Sequence, residues 1–221
     1  MNVSDDDTER FATVESRLHT PVIGDILDQL GLHHQFLSPR LRPLQPAMRM
    51  VGRAMPVLLG DSFGSRAQPF GRLTEALDSL RPGEIYLARR SRAECAAWGD
   101  ILTATAKTLG ARGAVIDGYH RDTAAVLAQR WPVFSHGAFG QDAGARTEVV
   151  DYRVDVEIDG VGISPGDLVI GDIDGVVVVP RRVEDEVIER ALAKVSAESR
   201  TRAAIEAGMS SSEAYLRYGV L

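Results

Sequence analysis

The stretch WGDILTATAKTLGARGAVIDGYHRDT, Trp98 to Thr123, decides how this chain reads. Asp100 is placed to cap a helix through Leu109, and Gly110 lies just past its end, where a left-handed residue is favoured. Gly113 opens the apolar run Ala114-Val115-Ile116, which is too short for a helix and reads as a buried strand. Arg121 and Asp122 follow in a second loop, with twenty residues between Asp100 and Arg121. A helix N-terminus offers free backbone N–H groups and the positive end of a dipole, which suits a small anion. Arginine adds a forked cationic donor, and aspartate a hard oxygen ligand for a divalent cation. Together these groups suit a metal-bound 2-oxo acid.

Working outward, the N-terminal part reads as helical. Thr20 is the expected cap, Pro21 suits the first turn, and Val22, Ile23, Ile26, Leu27 and Leu30 form one apolar stripe before Gly31. A strand is expected from Met50 to Leu59, a helix from Phe70 to Leu80, and a strand from Ile85 to Ala88 after the turn Arg81-Pro82-Gly83-Glu84. Beyond the central stretch come a short helix from Thr123 to Gln129 and the strand Val133-Phe134. From Val149 the pattern turns β-rich: Tyr152, Val154, Val156 and Ile158 alternate with charged residues, and Asp159-Gly160 signals a hairpin. Leu168 to Ile170 and Val176 to Val179 read as buried strands. A helix of roughly twenty residues follows Pro180, then a short one from the capping box of Ser210 with Glu213. Central strands flanked by helices predict a single layered α/β domain over residues 1–221, with mixed strand directions.

Composition narrows the classes. Apolar content of 44% and charged content of 25% describe a globular chain. A formal charge of −6 argues against nucleic acid as the main partner. The lone cysteine, Cys95, excludes an intrachain disulfide framework and fits a reducing cytoplasm. No apolar run approaches membrane-spanning length, so no membrane association is expected. Only two lysines occur, Lys107 and Lys194, against twenty-three arginines, and both sit at positions that read as solvated helix surface. Schiff-base chemistry needs a desolvated lysine, so a metal is the better electron sink.

With these residues in view, the chain resembles the RraA-like superfamily, which includes 4-hydroxy-4-methyl-2-oxoglutarate aldolases and RraA regulators of ribonuclease E. The resemblance rests on Asp100, Arg121 and Asp122, on Gly113 with Asp117-Gly118, on the block SPGDLVIGDIDGVVVVP, and on the ending GMSSSEAYLRYGVL. It covers nearly the whole chain from about Thr20. It implies an α/β sandwich of the RraA-like type, assembled as trimers or dimers of trimers with sites between subunits, and a C-terminal helix over 181–207 at such an interface. It implies Mg²⁺ or Mn²⁺ held chiefly by Asp122, Arg121 on the 2-oxo oxygen, and amides around Gly99, Asp100, Ile101 and Leu102 on the substrate carboxylate. It further implies that Glu198 reaches a neighbouring subunit's metal-bound water. The plainer reading of Glu198 is a helix-surface residue paired with Arg202. Ala125 departs from the family pattern, in which an acidic residue often stands three positions after the metal aspartate.

The implied chemistry is a retro-aldol cleavage of a 4-hydroxy-2-oxo acid to pyruvate and a carbonyl compound, with Asp100 holding a water that acts as base and oxaloacetate decarboxylation as a side activity. The competing classes are a protein regulator of a ribonuclease and a related 2-oxo acid decarboxylase or isomerase. The triplet and the aldolase-like ending favour the lyase. Elsewhere the plainer readings stand: Asp117 as a turn residue, Asp172 and Asp174 as a structural turn lacking the distal Glu of a calcium loop, and Cys95 as packing. His120 beside Arg121, and Trp98 and Tyr119 flanking the motif, are candidates to line a pocket.

Overall fold

The computed structural model describes residues 5–63 and 70–220. The first half runs α1 (Asp5–Arg17), α2 (Thr20–Gln29), β1 (Arg42–Pro43), β2 (Met50–Asp61), α3 (Leu73–Asp78), β3 (Glu84–Arg89), β4 (Ala96–Trp98) and α4 (Asp100–Thr108). The second runs β5 (Gly113–Ile116), β6 (Tyr119–His120), α5 (Thr123–Ala128), β7 (Val133–Ser135), β8 (Thr147–Tyr152), β9 (Val156–Ile158), β10 (Val161–Ile163), β11 (Leu168–Asp172), β12 (Gly175–Val179), α6 (Glu184–Glu206) and α7 (Ser211–Tyr218).

The main sheet has the order β1-β7-β5-β3-β2-β11-β12, with β8 also pairing β2. Strands β2, β3, β5 and β7 are mutually parallel, while β1, β8, β11 and β12 add antiparallel pairs. The sheet curls until its ends nearly meet: Leu37 N–H donates to Val176 O and Val178 N–H to Gln35 O, both at 2.9 Å, just ahead of β1. Alternation along each strand splits the core. Ile85 and Leu87 of β3, with Val176 and Val178 of β12, point to an inner cluster closed by the β9–β10 hairpin. Tyr86 and Ala88 face the cluster beneath α3, α4 and α5, and Val177 and Val179 face α1, α2 and α6. The expected mixed α/β arrangement with flanking helices is what the chain adopts.

Local expectations hold at the hairpin and the last cap. Asp159 and Gly160 both have positive φ, 49° and 85°, and set Val161 opposite Ile158. Ser210 and Glu213 form the reciprocal capping box of α7. Three expectations need correction. The cap of α2 is His19, whose ring accepts from Val22 N–H, while Thr20 donates its N–H and hydroxyl to the buried Asp172. That contact, with Asp174 N–H on the same carboxylate, makes the Asp172 turn structural. The alternation from Tyr152 to Ile158 is not one strand. Arg153, at φ 57°, breaks it because its N–H turns back to Pro56 O and its guanidinium reaches Glu84 at 2.7 and 2.8 Å. Lys194 is not a solvated lysine: its side chain is 18% exposed and ion-paired to Asp25.

An ion network ties α1 and α6 to the central strand. Glu184, 2% exposed, accepts from Arg10 at 2.8 Å and from Arg53 at 2.5 and 3.0 Å, and Arg53 also pairs with Asp7. Burial works against the Arg53 charge, but the hydrogen bonds to Asp7 and Glu184 outweigh it and raise its pKa. Removing one partner of such a set leaves a buried charge uncompensated. Glu184→Ala is therefore expected to cost about 3–5 kcal/mol in denaturant unfolding. A change below about 1 kcal/mol would show that the network is no more than a surface pair.

Candidate active site

A two-stranded parallel ribbon builds the site. Strands β4 and β6 pair side by side, with Ala96 opposite Tyr119 and Trp98 opposite His120. Parallel strands end at the same edge, so the residues after Trp98 and the residues after His120 emerge together. Gly99 and the start of α4 thereby sit beside Arg121 and Asp122, and Arg121 N–H donates to Trp98 O at 2.9 Å. The loop 137–142 joins the same edge: His120 N–H donates to Gly137 O, Phe139 N–H to His120 O, and Ala96 N–H to Gln141 O. This carries Asp142 alongside.

These segments enclose a cavity of about 220 Å³. Its polar lining is Asp100, Arg121, Asp122 and Asp142. Gly99, and not Asp100, is the N-cap of α4, and no side chain caps the helix. The first backbone bond of α4 is Thr103 N–H to Gly99 O at 3.1 Å, so the amides of Asp100, Ile101 and Leu102 have no backbone partner among the described residues. The Asp100 carboxylate is turned toward Gln129 instead: Nε2 of Gln129 donates to Asp100 Oδ1 at 2.6 Å and to its carbonyl at 3.0 Å. Asp100 Oδ2 has no hydrogen bond among the described residues. Arg121 lies between two carboxylates, with Nη1 2.8 Å from Asp142 Oδ1 and Nε 3.6 Å from Asp122 Oδ2. Asp142 is fixed in turn by Gly144 N–H at 2.9 Å. Asp122 heads α5 in a left-handed conformation, φ 57°. Such a backbone is costly for a residue with a Cβ and persists only where its surroundings impose it.

The model of the family described as "RraA-like: Aldolase/RraA" matches residues 20–178, from the start of α2 to β12. The chain belongs to the RraA-like family. A relative from Halalkalibacterium halodurans, named "Putative 4-hydroxy-4-methyl-2-oxoglutarate aldolase", is 32% identical over 93% of each chain. Among solved structures, an uncharacterized protein from Pseudomonas syringae pv. tomato is 34% identical, covers 96% of this chain and 92% of its own, and superposes with a TM-score of 0.82. RraAS2 of Streptomyces coelicolor, described as an unusual member of the RNase ES inhibitor RraA protein family, is 25% identical over 88% of this chain and 96% of its own, with a TM-score of 0.78.

Within this RraA-like chain, Gly99, Asp100, Ile101, Leu102, Arg121 and Asp122 converge on one cavity. Glu198 does not join them. It lies on α6, where Lys194 at 3.8 Å is its ion-pair partner in place of the expected Arg202. His120 is not a pocket residue. It is buried, bridging Ser135 at 2.8 Å and Thr123 at 3.0 Å, and burial lowers its pKa below the ordinary imidazole value. Trp98 does line the cavity, as a rigid wall: it stacks on Trp131 with centroids 6.0 Å apart and donates Nε1–H to Thr103 at 2.8 Å. Tyr119 packs edge-on against His136 and Phe139 instead. Cys95 is buried outside this cavity, and burial pushes its thiol pKa up. Asp117 exceeds its turn role, because its buried Oδ1 lies 3.3 Å from His136 Nε2. Asp142 and Gln129 escaped the sequence reading. Only the Asp-x-Gly turn Asp142-Ala143-Gly144 hinted at the first, and nothing local at the second.

The donor set suits a water-rich hard cation. Among the described residues no group of three or more His, Cys, Asp or Glu side chains could by itself hold a metal. Three carboxylates and one guanidinium line the cavity, a net negative set that favours a bound cation. Mg²⁺ binds in this manner, through one or two carboxylates plus water and ligand oxygens.

Proposed function

We propose that this chain is a divalent-metal-dependent lyase that cleaves a 4-hydroxy-2-oxo acid to pyruvate and a carbonyl compound. The observation that carries the reading is the convergence of three free helix amides, Arg121 and the Asp122 carboxylate on one small cavity. Asp122 would hold Mg²⁺ or Mn²⁺. The bound ion supplies Lewis-acid polarisation of the 2-oxo group. The amides of Asp100, Ile101 and Leu102 hold the substrate carboxylate at the positive end of α4. Arg121 donates to the 2-oxo oxygen, where negative charge develops. Its Nη2 has no protein partner among the described residues, which leaves it for this task.

In the step itself, a water held by Asp100 Oδ2 takes the C4 hydroxyl proton. The C3–C4 bond breaks, C4 becomes a carbonyl carbon, and the electron pair passes into the enolate of pyruvate, which is protonated at C3. Gln129 fixes Oδ1 of Asp100 and so orients the other oxygen. Oxaloacetate decarboxylation, which reaches the same enolate without a hydroxyl proton transfer, is the proposed side activity. Pyruvate release should vanish in EDTA and return with Mg²⁺ or Mn²⁺. Full activity in metal-stripped protein would remove the metal from the mechanism.

We further propose that the single RraA-like domain works as a homotrimer or a dimer of trimers, with α6 at a subunit interface and Glu198 acting in a neighbouring subunit's site. Mixed assemblies of Arg121→Ala and Glu198→Ala chains, each inactive alone, should then regain part of the activity. A fully active Glu198→Ala protein would show that Glu198 is only the partner of Lys194. Among the described residues no helix is long and apolar enough to cross a membrane, and a cytoplasmic address is proposed on the lone, buried Cys95. It is checked by fractionation.

The similarity to RraAS2 supports a second reading, a protein regulator that occupies a ribonuclease surface. Such a regulator should bind its ribonuclease without Mg²⁺ and tolerate Asp122→Ala. Submicromolar, metal-independent binding without any 2-oxo acid chemistry would place this reading first.

A further inference from the structure

Arg121 and Asp122 are consecutive, and that adjacency sets two demands against each other. A guanidinium makes its strongest pairs with a carboxylate, edge to edge through two N–H bonds. Asp122 is close enough to be drawn into such a pair, with Oδ2 3.6 Å from Arg121 Nε. A carboxylate engaged in that way turns its oxygens to the arginine and is a poorer ligand for a cation. At 3.6 Å, however, the contact is longer than a hydrogen bond. The hydrogen bond goes elsewhere, from Arg121 Nη1 to Asp142 Oδ1 at 2.8 Å.

Asp142 is held so as to keep that bond. Its Oδ2 accepts from Gly144 N–H at 2.9 Å, and its carbonyl from Arg146 Nη1 at 3.0 Å. Next to it, Gln141 O accepts from Ala96 N–H at 2.8 Å, which hangs the loop on β4. Strand β4 pairs with β6, and β6 leads directly into Arg121. Both ends of the Arg121–Asp142 bond are thus fixed to one two-stranded ribbon, and the ribbon sets how far the guanidinium stands from Asp122.

We infer, resting on the metal-dependent lyase reading above, that Asp142 is a positioning residue: it anchors Arg121 away from Asp122, which leaves the Asp122 carboxylate to the divalent cation and the guanidinium to the substrate. Without that anchor, Arg121 closes the short gap to Asp122, and the ion has to displace it. The plainer role for Asp142 is to add one negative charge near the cation. The two roles separate because only the first needs Arg121.

The test is a double-mutant cycle on Mg²⁺ affinity, measured by calorimetry with the full-length chain and Mg²⁺ alone. Asp142→Ala should weaken Mg²⁺ binding about fivefold, the scale of an exposed ion pair that must first be broken. Arg121→Ala should bind Mg²⁺ at least as tightly as wild type. Adding Asp142→Ala to it should change the affinity by less than about twofold, because no arginine remains to be held. Asp142→Asn keeps the size of the side chain, but one acceptor cannot serve Gly144 N–H and Arg121 together. It should therefore weaken Mg²⁺ binding too, and only while Arg121 is present. At saturating Mg²⁺, Asp142→Ala should still lower kcat for pyruvate release about tenfold, because the guanidinium is no longer aimed. If Asp142→Ala weakens Mg²⁺ binding by the same factor with and without Arg121, or leaves it unchanged, in a protein that releases pyruvate, the inference is overturned and the lyase reading stands. If the cycle shows the expected coupling but no 2-oxo acid releases pyruvate, the lyase reading falls and the placement of Arg121 by Asp142 stands. If the wild-type chain binds no Mg²⁺, both fall.

Discussion

Arg121→Ala should lower kcat about 10²–10³-fold, the usual consequence of losing one preorganised donor to a developing oxyanion. The fold should barely register the change. Arg121 and its two carboxylate partners are each 40–47% exposed, so their pairing contributes at most about 1 kcal/mol. KM should move less than kcat, because the donor matters most as charge builds on the 2-oxo oxygen. Arg121→Lys should recover little. The guanidinium presents one edge to Asp142, another to Asp122 and leaves Nη2 for substrate, whereas an ammonium is a point charge without that planar fork. Steady-state pyruvate release, with thermal melts on the same preparations, decides the matter. A folded Arg121→Ala protein running near the wild-type rate would show that the assigned site is wrong.

Gly99→Ala should be nearly as damaging, and for a reason that no charge count reveals. A Cβ on Gly99 would lie 2.7 Å from Asp122 Oδ2 and 3.5 Å from Arg121 Cγ. The backbone does not require glycine there, since φ is −165° and any residue adopts that conformation. The conflict is with the carboxylate proposed to hold the metal. Asp122 is anchored by its left-handed backbone at the head of α5, so only its side chain can yield, by rotating out of place. Misplacements of this size cost about 10²-fold in rate. Gly99→Ala is therefore expected to lose about that much turnover and to bind Mg²⁺ more weakly in calorimetry, with stability within about 1 kcal/mol of wild type. Gly140→Ala is the control, because a Cβ there meets nothing within 4 Å. Equal metal affinity in Gly99→Ala and wild type would remove Asp122 from the metal's ligands.

The continuous valine run of β12 and the glycine-bounded run of β5 were legible because their neighbours in sequence define them. So were Asp100 and Arg121-Asp122 as residues of neighbouring loops, which the fold brings to one cavity. That the segments before these loops run parallel, as β4 beside β6, was not legible: three residues and two residues carry no periodicity of their own. The same limit hid Asp142, which reaches the cavity through backbone bonds of a glycine-rich loop, and Gln129, which meets Asp100 only because α5 packs near α4. Helix α1 had a readable stripe in Phe11 and Val14, continued just past its end by Leu18, all buried, but its acidic start obscured it. Asp100 misled as a cap because the type of residue was right and the position was off by one. Gly99 caps the helix, and the carboxylate serves Gln129.

The long central strand β2 has a consequence for how this protein is made. Its first half is covered by β11, through Met50 opposite Gly171 and Arg53 opposite Leu168, and its second half by β8, through Leu59 opposite Val149. On a ribosome, β3 emerges early enough to take one edge of β2, but the other edge stays bare until β8 and then β11 have been translated. Helices α1 and α2, which precede β2, wait longer still for Leu168, Ile170, Val177 and Val179, the strand residues on which they settle. Contacts so distant in sequence are slow to form, and an unpaired apolar edge invites a neighbouring chain. Nascent chains that stall before β11 should therefore depend on chaperones.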